Sequence, residues 1–485
     1  MSISAGLTNA LSGLTASARA AELVSNNVAN ATNPSYARRE IMLGARVVGG
    51  TGQGVSVLGV DRIVDRALLS DRRVSEASTA GKDLRARFHG AFEKTVGSAS
   101  EPGSLTGRIA GFEAALIEAS SRPDSEARLA NVNATLRQAV DAFSDASATV
   151  QEARMRADRT IASDVAQLND ALIRVRDMNV MIRAAITNGN DASGLMDQRQ
   201  QAVDLISSIV PIREVQRDHD QIALFTAGGA TLLDGKASVF GFAAVNTITP
   251  DMTLASGALS GLTLNGRAVA VGVPPGAVDG GSLAASFEVR DKLGVEAQAS
   301  LDAVARNLVT RLEDPAVDPT RAPGSPGLLT DAGSAFAAIN ETGLSARLSI
   351  NAAVDPSAGG ALWRLRDGLG ATVPGPPGNG TLLSQLHGAL TNPQATLSGP
   401  FGNGPRSFAV LAGDISSLAA SARINAESDL SFARARTNTL QELYMSDGVD
   451  TDQEMQKLLV IEQAYSANAK VVQTMDELIQ ILMGL

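Results

Sequence analysis

At 485 residues the chain exceeds what one compact core usually supports, so two to four domains are expected. Its 51 acidic residues against 41 basic ones give a net charge of −10, and no Lys/Arg block interrupts that sign, which excludes nucleic acid and acidic lipid as natural partners. Cysteine is absent, so disulfides, thiol catalysis and Cys-ligated zinc are excluded, while 44% apolar but only 3% aromatic residues point to long helices built from Ala, Val, Leu and Ile.

Met1 to Leu23 has no basic leader, no unbroken apolar core and no small-residue cleavage site, and no later stretch offers about 18 uninterrupted apolar residues. The expectation is a soluble chain with no membrane insertion which, if it leaves the cell, does not use an ordinary signal peptide. Leu7, Leu11, Leu14, Ala18, Ala21, Ser25 and Val28 recur at heptad spacing and predict an amphipathic helix with a slim seam. Four asparagines follow in eight positions, Asn26, Asn27, Asn30 and Asn33, then Pro34 and Tyr36. Asn side chains bond nearby backbone and Pro34 cannot continue a helix, so this is a helix stop. One Asn or Gly would suffice for a turn, and the surplus suggests amides that bond outward to another chain. Gly50, Gly52 and Gly54 read as a flexible connector to the next domain.

Helices are expected near Ser70 to Val96 and Leu411 to Tyr444, packed on a longer one from about Leu129 to Ile186. Ile161, Val165, Leu168, Leu172, Val175, Asn179, Ile182 and Ile186 give that column an unbroken seam. Asn188-Gly189-Asn190 closes it, and Gly194 to Ile209 is a further helix before Pro211. Short β-like runs then appear at Ile222 to Phe225, Ser238 to Phe242 and Leu262 to Val273, a small antiparallel sheet beside the rod. Between Pro356 and Pro405, 18 of 50 residues are Gly or Pro, so 324–405 reads as a reduced outer domain or insertion facing solvent.

The strongest periodicity closes the chain: Leu458, Ile461, Tyr465, Asn468, Val472, Met475, Ile479 and Leu482 alternate spacings of three and four. Thr451 and Glu454 have capping-box spacing, with Asp450 and Asp452 beside the first turn. A calcium loop starting at Asp450 would need glycine where Met455 stands. Asn468 is expected to fix register, since a buried amide is tolerable only where it finds a partner. Eight buried seam side chains yield about 1.5–3 kcal/mol each, against about 1–2 kcal/mol per ordered backbone residue. Alone, such a helix is marginal, and two amphipathic ends predict segments that order by pairing with each other and with neighbouring copies.

NNVANATNPSYAR at Asn26 to Arg38 resembles the N-terminal signature of the bacterial flagellar rod, hook and hook-associated axial proteins. YSANAKVVQTMDELIQIL at Tyr465 to Leu482 resembles their C-terminal signature. Val28, Asn33 and Ser35 depart from the usual pattern and leave the turn type open. Three internal stretches, Gly52 to Arg73, Asn190 to Ser207 and Gly280 to Leu293, are similar to the hook-associated branch of that family.

Periodicity and composition, with the resemblance at the two ends and more thinly up to about Leu312, lead to the expectation of an α+β multidomain fold: terminal helices forming a discontinuous coiled coil (1–55 with 445–485), a long-helix rod domain with a small β part (56–323 with 406–444; β about 211–280), and the Gly/Pro-rich insertion (324–405). The resemblance implies a secreted structural subunit at the hook–filament junction, without cofactor or metal. Its interface residues would be Leu7, Leu11, Leu14, Asn26, Asn27, Asn30, Tyr36, Leu458, Ile461, Tyr465, Asn468, Val472, Met475, Ile479 and Leu482. Expected partners are further copies in a ring-like layer, the hook protein, a second junction protein next to the filament, and an export chaperone on the C-terminal helix. A hook or distal-rod subunit is the alternative, opposed by the long helical stretch; a secreted enzyme carried on axial-type ends is the remote one.

No catalytic constellation competes. His89, His219 and His387 are far apart with no paired spacing, and no GxSxG elbow occurs. Gly229 to Lys236 misses phosphate-loop spacing and reads as a turn at Asp234-Gly235. Trp363 is either a buried residue or an anchor for a partner.

Overall fold

Why these residues make long helices is visible at the helix starts, where side chains satisfy the first free N–H groups. The computed structural model describes residues 3–33, 35–48, 51–272, 276–402 and 404–483. Helix α1 (Ile3–Ala29) leads into an antiparallel hairpin, β1 (Arg39–Val48) and β2 (Thr51–Arg62). Asp65 then caps α2 (Arg66–Val96), Ser104 caps α3 (Leu105–Ser121), and Ser125 caps α4 (Glu126–Thr187). With 62 residues, α4 is about 93 Å long at 1.5 Å per residue. Asn188 and Gly189, the latter at φ +72°, end it as expected, and α5 (Ser193–Ile209) turns back along it.

The expected sheet region is two small antiparallel sheets. β3 (Ile212–Gln216), β4 (Ile222–Thr226), β5 (Thr231–Asp234) and β6 (Lys236–Ala237) form the first; β7 (Phe240–Gly241), β8 (Leu262–Leu264) and β9 (Arg267–Val269) form the second. The Gly229 to Lys236 motif is a hairpin turn, with Gly235 at φ +70° between β5 and β6. Val273 of the third expected run lies outside the described residues. Two helices in series, α6 (Gly281–Glu288) and α7 (Gly294–Leu312), joined by one π turn, return along α4.

The segment 324–405 corrects the expectation of a separate solvent-facing insertion. It contains β10 (Leu329–Asp331), α8 (Leu344–Arg347), β11 (Leu348–Ile350), α9 (Arg364–Asp367) and α10 (Thr381–Thr391). Its Gly and Pro residues do keep regular structure short, but Leu328, Leu344, Leu365, Leu383, Leu390 and Phe401 are buried in the same core as α3, α4 and α7. Widely spaced leucines on loops leave no periodic signal, yet they bury as well as helical ones. Trp363 is half-buried, with the Arg364 guanidinium 5.2 Å from its ring centroid.

Two further helices close the chain: α11 (Phe408–Ser446), capped by Ser407, and α12 (Thr451–Met483). The rod has two apolar cores stacked along α4. One joins the first half of α4 to α3, α7, α10 and the start of α11; the other joins Ile161–Val175 to α5 and the sheets. At the boundary Arg154, Arg290 and Asp158 are wholly buried, with Arg290 Nη1 donating to Asp158 Oδ1 at 2.7 Å and Arg154 Nε donating to the Arg290 carbonyl at 2.9 Å. Each charge is paired or capped by carbonyls, as burial demands.

Candidate functional site

The asparagine bend is built from inside the chain outward. The Asn30 N–H reaches the Asn26 and Asn27 carbonyls at 3.2 Å each, and Asn30 Nδ2 donates to Asn26 O at 3.0 Å, so these two residues end α1. Asn33 Oδ1 accepts from the Ser35 N–H and redirects the chain; Pro34 lies outside the described residues. Asn26 contributes only its carbonyl, its side chain being exposed.

Asn27 is the centre of the site and is 1% exposed. Its Nδ2 donates to the Arg39 carbonyl (2.9 Å) and to Glu454 Oε2 (2.8 Å), while its Oδ1 accepts from Tyr36 OH (2.8 Å) and from the Arg39 N–H (3.0 Å). All four bonding positions of the amide are therefore filled. Three join the bend to the start of β1; the fourth crosses 427 positions of sequence to the C-terminal helix. Tyr36 is buried, and that burial pushes its phenol above the ordinary value, keeping it a neutral donor to Asn27.

Glu454 corrects the capping-box reading. Asp450 Oδ1 takes the Asp452 and Gln453 N–H groups and is the N-cap, so Glu454 is free to face α1. It is 1% exposed and also takes Lys457 Nζ at 2.9 Å, with Arg38 at 4.0 Å. A carboxylate three residues into a helix looks like a cap in sequence; which way it points depends on what packs there.

The connector, too, differs from expectation. Strands β1 and β2 pair as a hairpin against α1, and Gly50 of the expected connector lies outside the described residues. The Val55 N–H donates to Ser12 Oγ at 3.1 Å, and Gly54 at φ +89° lies so close to Ser12 that a Cβ would not fit. The hairpin is clamped to the rod by Asp197 of α5, which accepts from Arg39 Nη2 at 2.6 Å and Arg62 Nε at 2.8 Å. Arg62 also donates to Gln200 Oε1, and Gln200 Nε2 donates to Tyr444 OH at 2.9 Å, bringing in α11. Arg72 lies over the Tyr444 ring at 4.4 Å. Sequence reasoning missed Asp197, Gln200 and Tyr444; Asp197 stands in a stretch noticed only for its family likeness, and a lone Asp near a helix start carries no partner in its pattern.

Helices α1 and α12 pair along their length. On α12, Leu458, Ile461, Asn468, Val472, Met475 and Ile479 are half-buried, whereas Tyr465 and Leu482 are 46% and 60% exposed. On α1 the seam is rotated from the expected one: Ala10, Ala16, Ala20, Val24 and Asn27 are buried, Leu7 and Leu14 half-buried, and Leu11 59% exposed. The helix is covered on two sides, by hairpin and by α12, so small residues take the close contacts. A Cβ on Gly6 would stand 2.7 Å from Met475 Cε, and one on Gly13 2.7 Å from the Asn468 amide. Asn468 Nδ2 bonds its own helix, at Ala464 O (2.9 Å), and the amide lies against Gly13. Its partner is therefore not across the seam.

Among the described residues no group of three or more His, Asp or Glu is arranged to hold a metal, and no helix is long and apolar enough to cross a membrane. His89 packs edge-on to Phe88, His219 is exposed, and His387 stands 3.8 Å from Glu113.

The site thus ties both chain ends to one rod. The family model described as the flagellar hook-associated protein FlgK helical domain matches residues 91–318, and that of the flagellar basal body rod FlgEFG protein C-terminal matches 446–485. These two matches support a flagellar hook-associated protein. Relatives named flagellar hook-associated protein 1 include those of Salmonella typhimurium (26% identical over 239 residues, 48% of this chain and 43% of the relative), Bacillus subtilis (25% over 241 residues, 47% of each) and Escherichia coli (26% over 242 residues, 48% and 43%). The aligned part spans less than half of each relative. The solved structure of the flagellar hook junction protein FlgK from Burkholderia pseudomallei overlaps 54% of this chain and 47% of its own, at a TM-score of 0.43 and 16% identity. The C-terminal match coincides with α12, and the helical match runs from the end of α2 through α7.

Proposed function

We propose that this chain is a secreted, non-enzymatic structural subunit of the bacterial flagellum whose copies form a layer joining hook to filament through their terminal helices. The observation that carries the reading is the Asn27 amide, which holds Glu454 of α12 beside the end of α1 and so makes the two chain ends one unit. That unit is underfilled: Glu454 is the one buried side chain among the described residues of α12, and Leu459, Val460, Ile481 and Leu482 are 58–65% exposed. An apolar stripe of this size on a paired helix is suited to neighbouring copies, to the hook protein, to the next junction protein and, before export, to a chaperone. The division we favour is a terminal unit of 1–55 with 445–485 on a rod of 56–444 that includes 324–405. The match to a hook-associated helical domain supports this reading over a hook or distal-rod subunit.

The test is cryo-microscopy of hook tips from cells lacking the chain, with either the full chain or one ending before Ile461 added back. The full chain is expected as a layer at the hook end. The truncated chain, whose rod cores do not include α12, is expected to keep its thermal transition and fail to bind. Density elsewhere than the hook end, or a truncated chain that still joins hook to filament, overturns the proposal.

A further inference from the structure

The two apolar cores of the rod touch the same long helix but share little else. The far core takes the end of α2, α3, the first half of α4, α7, α10, the start of α11 and the leucines of 324–405. The near core, on the side of the hairpin, takes Ile161–Val175 of α4, α5, the two sheets, and Leu283 and Phe287 of α6. Among the described residues, none of α2 or α11 enters the near core. Only α4 and the α6–α7 pair therefore contribute to both, and α6–α7 is interrupted at the boundary by the π turn Val289–Leu293.

That boundary is the buried polar layer of Arg154, Asp158 and Arg290. Arg154 passes over the π turn so closely that a Cβ on Gly294 would stand 2.5 Å from its Cγ. Its head donates to Gln151 Oε1 at 2.9 Å, to the Thr249 carbonyl at 3.2 Å and to the Met252 carbonyl. Arg290 lies over the rings of Phe242 and Phe287, 5.3 and 4.9 Å from their centroids, and donates to the Ser260 carbonyl at 2.8 Å. Asp158 Oδ2 accepts from the Val245 N–H at 2.8 Å, so the loop 245–260 closes the layer through its backbone. Parting two apolar surfaces forfeits their burial, whereas parting this layer returns two arginines and an aspartate to water, which hydrates charge strongly. A boundary of this kind lowers the cost of opening one half without the other. The near core is the smaller of the two, with less apolar surface to hold it shut. It also bears the clamp to the hairpin, since Asp197 and Gln200 stand on α5.

We infer that the polar layer is a built-in partition: the near half of the rod opens as a unit of its own, dividing the unbroken helix α4 at Arg154–Asp158, while the far half stays closed. The terminal unit is thereby mounted on a yielding base that stands on a rigid one, whatever surface the chain joins.

The test is amide exchange of the full chain in urea below its global midpoint, resolved along α4 by mass spectrometry of overlapping fragments. Amides of Ile161 to Val175 and of α5 are expected to exchange at least about tenfold faster than those of Val132 to Val150 and of α7, with the step falling between Val150 and Ile161. Equal rates in the two halves overturn the partition. So does a step elsewhere along α4, since the layer would then not be where the chain divides. A second measurement uses Asp158→Leu with Arg290→Met, which removes the ion pair as a whole, so that parting the halves no longer hydrates it. The gap between the two groups of amides is expected to narrow at least about threefold in that variant. A folded double variant that keeps the wild-type gap overturns the role of the layer, and if the double variant does not fold, the position of the wild-type step decides alone.

Discussion

Replacing Asn27 with alanine tests whether one amide holds the C-terminal helix in place. The change removes the Asn27 partner of four groups, the Arg39 N–H and carbonyl, the Tyr36 hydroxyl and Glu454 Oε2, all at a buried or half-buried site. Each stranded group costs about 1–3 kcal/mol. Arg39 is near enough to the surface for water to replace a lost partner, and Glu454 keeps Lys457, so about 3 kcal/mol, just under the four-group minimum, is the working figure. The loss falls on α12, because no other side chain among its described residues is fully buried. Amide exchange across 451–483 is therefore expected to accelerate roughly a hundredfold, while the core amides of α4 stay protected. Tyr36→Phe, which removes one donor, should accelerate it about tenfold at most. Unchanged exchange in α12 for Asn27→Ala, or an equal rise in α4, refutes the idea of a local latch.

Gly13→Val should loosen the α1–α12 pair, since its side chain meets the Asn468 amide, and Gly13→Val with Asn468→Ala should recover it; a melting curve for the double variant no better than for Gly13→Val alone counts against the contact. Asp197→Ala frees Arg39 and Arg62 and should broaden the distance distribution between spin labels on α12 and α4, a broadening that rising salt reproduces in the wild type; an unchanged distribution means the hairpin itself sets the angle. Burial raises the Asp164 pKa, opposed by the Ser282 hydroxyl bonded to it. The folded chain therefore binds that proton more tightly than the unfolded one, and stability from this group is lost as pH climbs from about 4 through the raised value. Asp164→Asn should remove that part of the slope, leaving the variant at least as resistant to urea at pH 7; an identical slope in both chains would discard the assignment.

Much was legible from local pattern. The seam and the Asn188-Gly189-Asn190 stop outlined α4, and α5, α2 and α11 were expected within a few residues of where they lie, because apolar spacing and helix stops are properties of neighbouring side chains. The seam of α12 and the helix stop at Asn30 and Asn33 were readable for the same reason. What the sequence could not determine is everything that depends on a partner brought from afar. Asn27 and Tyr36 stood out as candidates, but the carboxylate that completes them sits 427 positions away. Glu454 had a good local partner on paper and took a distant one, since Asp450 already served the helix end. Leu11 belongs to a flawless heptad yet faces outward, because two neighbours press on α1 and only its small residues let both approach. The leucines of 324–405 have no period at all, and only the fold gathers them into the core of the rod. Spacing along the chain decides which residues share a face; which face is covered, and by what, is settled only where separate elements compete for the same contact.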